Sequence, residues 1–282
     1  MPERYATLKN VVRASVPRNV RNWLRSPSRS AAWLWDSAAF SLGQTKTLQL
    51  APNVSLVCHP HFYKVVETAQ INDPEQAEEF RGFLSHCSDR MFLFDIGAHF
   101  GVFSLALAQL NGNAVAADPS PIATKMIETE IALNKCGDRV RVLQAAVSDV
   151  NGEMDLLSAG AFSEGYFRVE QGRMASDLTR TQALTVDQMT LRYGAPTHIK
   201  IDVEGHEAAV LRGANDTVAK HAPLLFLELH NEMVRDSGGD PGETLNLVGL
   251  AGYRTFGVGG QPIGREEILS KPIIRIVAEH PG

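Results

Sequence analysis

The stretch MFLFDIGAHFGVFSLALA, residues 91–108, runs from one apolar segment through a glycine turn into another. Met91–Ile96 reads as a strand buried on both faces, 97–101 as a tight turn, and 102–110 as a helix. The alternation then repeats. Ala114–Ala117 is a second strand, followed by a helix opened by Pro121 with Ile122, Met126 and Leu133 near one face. Val140–Leu143 is a third. Residues 153–184 are polar and irregular, as expected for a hairpin and a loop over the top of a sheet. Beyond them the spacing predicts a helix over 185–193, a strand at His198–Val203, and a helix over 206–220 interrupted near Gly213. A strand at Pro223–Leu229, a helix around 241–251 and strands near 253–258 and 272–278 close the chain. Apolar strands alternating with helices make an α/β fold, a mostly parallel sheet covered on both faces.

Upstream, Leu48–Val57 alternates like a hairpin around Pro52-Asn53. Residues 75–87 read as an amphipathic helix with Phe80, Phe83 and Leu84 inward. Residues 1–45 read as helical or irregular, interrupted by Pro17 and Pro27, an extension ahead of a domain over 46–282. The 282 residues are 44% hydrophobic and 21% charged, enough for a sizeable core, which excludes a disordered or collagen-like chain. Three cysteines, Cys58, Cys87 and Cys136, are few, odd in number and far apart, so a disulfide scaffold is excluded. No apolar run reaches the ~18 residues needed to span a bilayer, and a soluble cytoplasmic protein is expected.

The net charge of -5 is uneven. Residues 1–50 hold eight Lys/Arg against Glu3 and Asp36, a net +6; the remaining 19 basic and 30 acidic residues give -11. An acidic body repels polyphosphate, so nucleic acid is not an expected partner. The basic front, with Trp23, Trp33 and Trp35, fits either a segment packed on the domain, at a homo-oligomer contact for instance, or a peripheral membrane contact. The packed segment is the commoner outcome.

In such sheets a ligand lies beyond the carboxyl ends of the strands. There the first strand delivers Asp95 and the Gly97–Gly101 turn. About 20 residues later the second strand delivers Asp118, placed to accept hydrogen bonds from both ribose hydroxyls. A pyrophosphate dinucleotide wants three glycines; here the middle one is absent and an acid heads the loop. The amino group of S-adenosylmethionine suits that acid better.

The order DIGAHFGVFSLALA (95–108), ADPSP (117–121), LN (133–134), AAVSD (145–149), TVDQM (185–189), IKIDVEGHEAAVLRGA (199–214) and PLLFLELH (223–230) resembles FkbM-type methyltransferases, from roughly residue 75 to 278. KIDVEGHE (200–207) is its most specific piece. The resemblance implies the class I methyltransferase (Rossmann-like) fold, seven strands with the last antiparallel. It also implies methyl transfer from S-adenosylmethionine to a hydroxyl of a sugar, glycan or related small molecule. Carried over, Asp95, Gly97, Ala98, His99 and Gly101 would hold the methionine part, Asp118, Pro119 and Ser120 the ribose, and Ala146, Val147 and Ser148 the adenine. The sequence departs from the family in having His99 for the usual Asn and Asp118 for the usual Glu.

The acceptor side must take up a hydroxyl proton. Asp202, Glu204, His206 and Glu207 follow one strand, Glu228 and His230 the next, and the two strands should be neighbours. His206 or His230 could be a general base, since histidine titrates near neutrality. Alternatively Asp202, Glu228 and His230 could bind a divalent cation such as magnesium that acidifies the hydroxyl. Glu207 reads mainly as a helix cap, Glu204 equally as a cap or a functional group. Asp187 should cap or pair with Arg192, and Lys200 should plug the cleft edge. Cys58-His59-Pro60-His61 lacks a second pair at zinc spacing and reads as an ordinary strand exit. Two rival classes remain: a nicotinamide oxidoreductase, lacking its third glycine here, and a non-catalytic methyltransferase-like binding protein.

Overall fold

The computed structural model describes residues 27–158, 167–168 and 178–281. Helix α1 (Pro27–Ser41) leads into a hairpin of β1 (Lys46–Ala51) and β2 (Val54–Cys58), turned at Pro52-Asn53. Next come α2 (Pro60–Val66), a π turn (Glu67–Ile71) and α3 (Pro74–His86), which Asp73 caps by accepting from the backbone N–H groups of Glu75 and Gln76. The alternating part comprises β3 (Phe92–Ile96), α4 (Val102–Gln109), β4 (Asn113–Asp118), α5 (Pro121–Asn134) and β5 (Val140–Gln144). Short strands β6 (Ala146–Val147), β7 (Gly152–Ser158), β8 (Phe167–Arg168) and β9 (Leu178–Leu184) follow. Then α6 (Val186–Tyr193), β10 (His198–Ile201), α7 (Glu207–Arg212), α8 (Asn215–His221), β11 (Leu224–Leu229) and α9 (Asn231–Asp236) resume it. The chain closes with α10 (Gly242–Leu250), β12 (Arg254–Gly257), α11 (Arg265–Ser270) and β13 (Ile274–Glu279).

Seven strands form one sheet in the order β12-β13-β11-β10-β3-β4-β5. All are parallel except the last, β13, which runs antiparallel to β11 and β12. This is the class I methyltransferase fold that the sequence resemblance implies. Side chains along the central strands alternate between two cores. Leu93, Ala116 and Phe226 join Phe83, Leu105 and Leu107 on one face; Phe94, Ile199, Ile201 and Leu227 join Met189 and Val210 on the other.

Several expectations change. Residues 153–184 contribute to a second sheet of order β6-β9-β7-β8, in which β7 and β9 make the expected hairpin; 159–166 and 169–177 lie outside the described residues. The 206–220 helix is two, α7 and α8, because Gly213 lies so close to the Ser148 carbonyl that a Cβ would overlap it. The strand exit at Cys58 becomes a helix start: His59 accepts from the His61 N–H through Nδ1, and Pro60 takes the first turn. Asp187 caps not its own helix but α8, accepting from the backbone N–H groups of Asp216 and Thr217 and from the Thr217 hydroxyl.

Candidate active site

Parity along the strands builds the site. On the face opposite Phe94, Ile199 and Leu227, the register aligns Asp95 with Lys200 and Glu228 with Arg275. A row of charged groups therefore crosses the sheet near the carboxyl ends of its parallel strands. Helix α3 covers it with Glu79, 5% exposed, and α4 lays the Phe103 ring 4.6 Å from Lys200 Nζ. Lys200 donates to Asp202 Oδ2 at 3.1 Å and faces Glu79 at 4.0 Å. Arg275 grips Glu228 through two nitrogens, at 2.6 and 3.2 Å, and meets Glu79 at 3.0 Å.

Beside this row lies a cavity of about 520 Å3 at the sheet's carboxyl edge. The expected cofactor residues Asp95, Gly97, Ala98, His99, Asp118, Pro119, Ala146 and Val147 line it, joined by Met154 and Leu156 of β7. Gly101, Ser120 and Ser148 do not. Gly101 packs on Ile127, Ser120 caps α5 by accepting from the Ala123 N–H, and Ser148 Oγ meets His206 Nε2 at 2.8 Å. Gly97 turns with φ +75°, its N–H bonded to the Ala117 carbonyl; a Cβ there would strike the Asp202 carbonyl oxygen, so the β3 and β10 exits meet only across a glycine.

Two buried carboxylates face the cavity. Asp95 receives the Ser104 hydroxyl at 2.7 Å on Oδ2, while its Oδ1 is buried with no hydrogen-bond partner; burial pushes this acid up from its ordinary value. Asp118 is 3% exposed and accepts from the Ser120 N–H at 2.8 Å and the His99 N–H at 2.9 Å. Burial outweighs those bonds and pushes Asp118 up to about 7.

The acceptor-side candidates do converge. Asp202, Glu204, His206 and Glu228 line the cavity, with His230 behind them. His230 Nδ1 meets Glu207 Oε1 at 2.7 Å. Its Nε2 looks toward Asp202 Oδ1 at 3.9 Å and toward Glu204 Oε2 and Glu228 Oε1 at 3.8 Å each. Glu207 is thus more than a cap: it accepts from the Gly205 N–H and orients His230. Burial opposes the charged ring, but the Glu207 bond and the acids around it raise His230 to about 9. At neutral pH His230 carries its proton, so the expectation of a ready general base does not hold for it. Burial lowers His206, which stays neutral. For Asp202, Lys200 and His230 outweigh burial and hold the carboxyl below its usual range. Burial, then Asp202 and Glu79, push Glu228 up to about 8 despite Arg275. The ligand atoms of Asp202, Glu228 and His230 lie within 4.8 Å of one another.

Glu79 and Arg275 were not read as site residues, and Lys200 was read only as a plug. A signal for Arg275 existed, one charge in the apolar run PIIRIVA (272–278), whereas nothing local separates Glu79 from Glu75 and Glu78. The far wall holds further unanticipated groups: His61, Lys64, Thr68, Gln70 and Gln76. Gln70 Nε2 donates to Gln76, while Gln70 Oε1 is buried with no hydrogen-bond partner.

A family model described as methyltransferase FkbM domain matches residues 95–255. Ribosomal protein L11 methyltransferase of Desulfitobacterium hafniense is 31% identical over 75 residues, 26% of this chain and 24% of that protein. The chain therefore spans about a quarter of that curated relative. Among solved structures, methyltransferase FkbM from Methylobacillus flagellatus KT aligns at TM-score 0.45 and 16% identity, over 68% of this chain and 44% of that one. An O-methyltransferase from Bacillus cereus, in complex with SAH, aligns at 0.42 and 13%, over 76% and 84%.

Proposed function

We propose, from the premise that this chain belongs to the FkbM methyltransferase family, that it is an S-adenosylmethionine-dependent O-methyltransferase acting on a hydroxyl of a sugar, glycan or related small molecule. The observation that carries this reading is the surplus of carboxylates around one cavity. Asp95, Asp118, Asp202, Glu204 and Glu228 line it against Lys64, Lys200 and Arg275. Such a lining favours a sulfonium with a free amino group and disfavours a pyrophosphate dinucleotide. When bound, S-adenosylmethionine supplies an electrophilic methyl carbon on sulfur. Asp95, with Oδ1 unpaired, suits its amino group; Asp118 suits the ribose hydroxyls; Val147, Met154 and Leu156 offer an apolar wall for the adenine.

The chain's own part in the chemistry is positioning and proton uptake. The acceptor oxygen bonds to the methyl carbon as the carbon–sulfur bond breaks, and the hydroxyl proton passes to a carboxylate. Asp202 and Glu204 are the partly exposed acids at the cavity, so they accept that proton. Lys200, Arg275 and His230 hold the acids behind them in place. A polyol acceptor is favoured by Thr68, Gln70 and Gln76 on the opposite wall, where Gln70 Oε1 still lacks a donor.

A second reading has its own observation. Each member of Asp202, Glu228 and His230 has an outer partner, Lys200, Arg275 and Glu207 respectively, as metal ligands commonly do. A divalent cation there would acidify the hydroxyl in place of the carboxylate base. Methyl transfer from labelled cofactor, screened across glycans and simple sugars with magnesium or with a chelator, tests both. Turnover that survives chelation favours the carboxylate base. Cofactor binding without turnover on any hydroxyl would leave a methyltransferase-like binding protein, and NAD binding in place of S-adenosylmethionine would restore the oxidoreductase.

A further inference from the structure

Helix α1 has two unlike faces. Inward, Trp33, Asp36 and Phe40 follow the i, i+3, i+7 spacing of a packed stripe. Trp33 stacks on His59 at 5.9 Å and meets His61 edge-on at 4.7 Å, and Phe40 lies 4.6 Å from His59. Asp36, 2% exposed, binds Lys64 Nζ at 2.5 Å and His61 Nδ1 at 3.4 Å. Outward, Leu34, Trp35, Ala38 and Leu42 share one arc, and all four are exposed. Trp35 is 76% exposed and Leu42 81%. Leu42 follows the helix's last residue and keeps its turn, donating its N–H to the Ala38 carbonyl at 3.1 Å.

Single exposed leucines are ordinary, and Leu191 and Leu250 are two of them here. A tryptophan and two leucines on one arc of one helix are a surface. The only acid of α1 is turned inward and neutralised by Lys64, so nothing negative shares the outer arc. The chain just ahead of the helix, residues 1–26, holds six Lys/Arg (Arg4, Lys9, Arg13, Arg18, Arg21, Arg25) against Glu3, a net +5, and includes Trp23. The rest of the chain is acidic, so a segment this basic is out of keeping with the protein it belongs to.

We propose that the outer face of α1, together with the basic segment before it, docks this protein on an anionic lipid bilayer. Trp35, Leu34 and Leu42 enter the headgroup boundary, and the arginines and Lys9 meet the anionic headgroups. Two signals act together, because neither a short apolar arc nor a basic segment alone anchors a protein durably. No helix among the described residues is long and apolar enough to cross a membrane, so the contact is peripheral. Helix α1 also lends Ala32 to the cavity wall, which places the docking face and the site on one element. The proposal stands whether or not the acceptor is a sugar.

The test is co-sedimentation of the full chain with vesicles of phosphatidylcholine and phosphatidylserine, and with vesicles of phosphatidylcholine alone. It is run near ~0.1 M and near ~1 M salt, where the screening length falls from about 10 to about 3 Å. We expect sedimentation only with the anionic vesicles, lost at high salt. Trp35→Gln with Leu42→Gln should weaken partitioning by at least about tenfold, the scale of exposing two large apolar side chains again. Cofactor binding by calorimetry should be unchanged, which shows that the variant is folded. Arg18, Arg21 and Arg25→Glu, which leave the folded part untouched, should abolish the preference for anionic lipid. Failure of the unsubstituted chain to sediment overturns the proposal. So does a double variant that binds as the parent does, or one whose only defect is loss of a dimer in lipid-free solution.

Discussion

Asp118 and His230 show how burial sets what a side chain can do. Asp118 keeps its proton up to about 7, yet it must be ionised to accept from two ribose hydroxyls. Affinity for S-adenosylmethionine should therefore rise between pH 6 and 8. Asp118→Ala should lose roughly 1–3 kcal/mol and flatten that dependence, as titration calorimetry at several pH values would show. A folded Asp118→Ala with parental affinity would move the ribose site elsewhere. His230 is raised from 6.5 to about 9. A raised histidine contributes stability that is complete below pH 6.5 and is lost as pH climbs through 9, on the order of 3 kcal/mol for such a shift. Glu207→Gln removes the partner that causes it. Urea unfolding at pH 6 and pH 9.5 should show the variant losing more at pH 6, so that its alkaline slope is shallower than the parent's. Equal slopes would mean that Glu207 does not hold the imidazolium.

Elements rather than residues decide where β3 and β10 end. Their exits touch at Gly97 and Asp202, and backbone crowding leaves no room for a Cβ. Gly97→Ala carries both a left-handed backbone and an overlap. It should cost at least ~2 kcal/mol in thermal or urea unfolding and lower cofactor affinity as the loop shifts. An unperturbed melting curve would refute that close approach. Asp202→Asn tests the neighbouring exit differently: its amide keeps the shape, so cofactor binding should persist while turnover falls at least about a hundredfold, the scale of general-base loss. Near-parental turnover on the best acceptor would remove Asp202 from the chemistry. Glu228→Gln should also abolish most turnover, but it breaks a buried pair with Arg275 and should cost ~3 kcal/mol of stability besides.

At the scale of the molecule, residues 1–45 are not uniform. Removing residues 1–26 takes away the basic segment alone, and the thermal midpoint should hardly move. Removing residues 1–45 also strips α1, leaving His59, His61 and Lys64 without Trp33, Phe40 and Asp36. The midpoint should fall by several degrees, about the effect of losing 2 kcal/mol or more. Identical midpoints for the two truncations would show that α1 is stabilised by the domain without stabilising it.

The sequence by itself determined the alternation, the sheet and the family, because apolar periodicity, glycine turns and ordered motifs are local and survive without coordinates. It also determined which strand ends carry acids, since Asp95, Asp118, Asp202 and Glu228 follow directly from where the strands stop. The tertiary structure decided what those groups are. Glu79 reaches the site from α3, Arg275 from the last strand, and Glu207 turns back onto His230, all through packing between segments far apart in sequence. Protonation was decided there too. His230 becomes a cation and Asp118 a reluctant anion because burial and neighbouring charges act through space, at distances of a few ångströms that no spacing along the chain encodes.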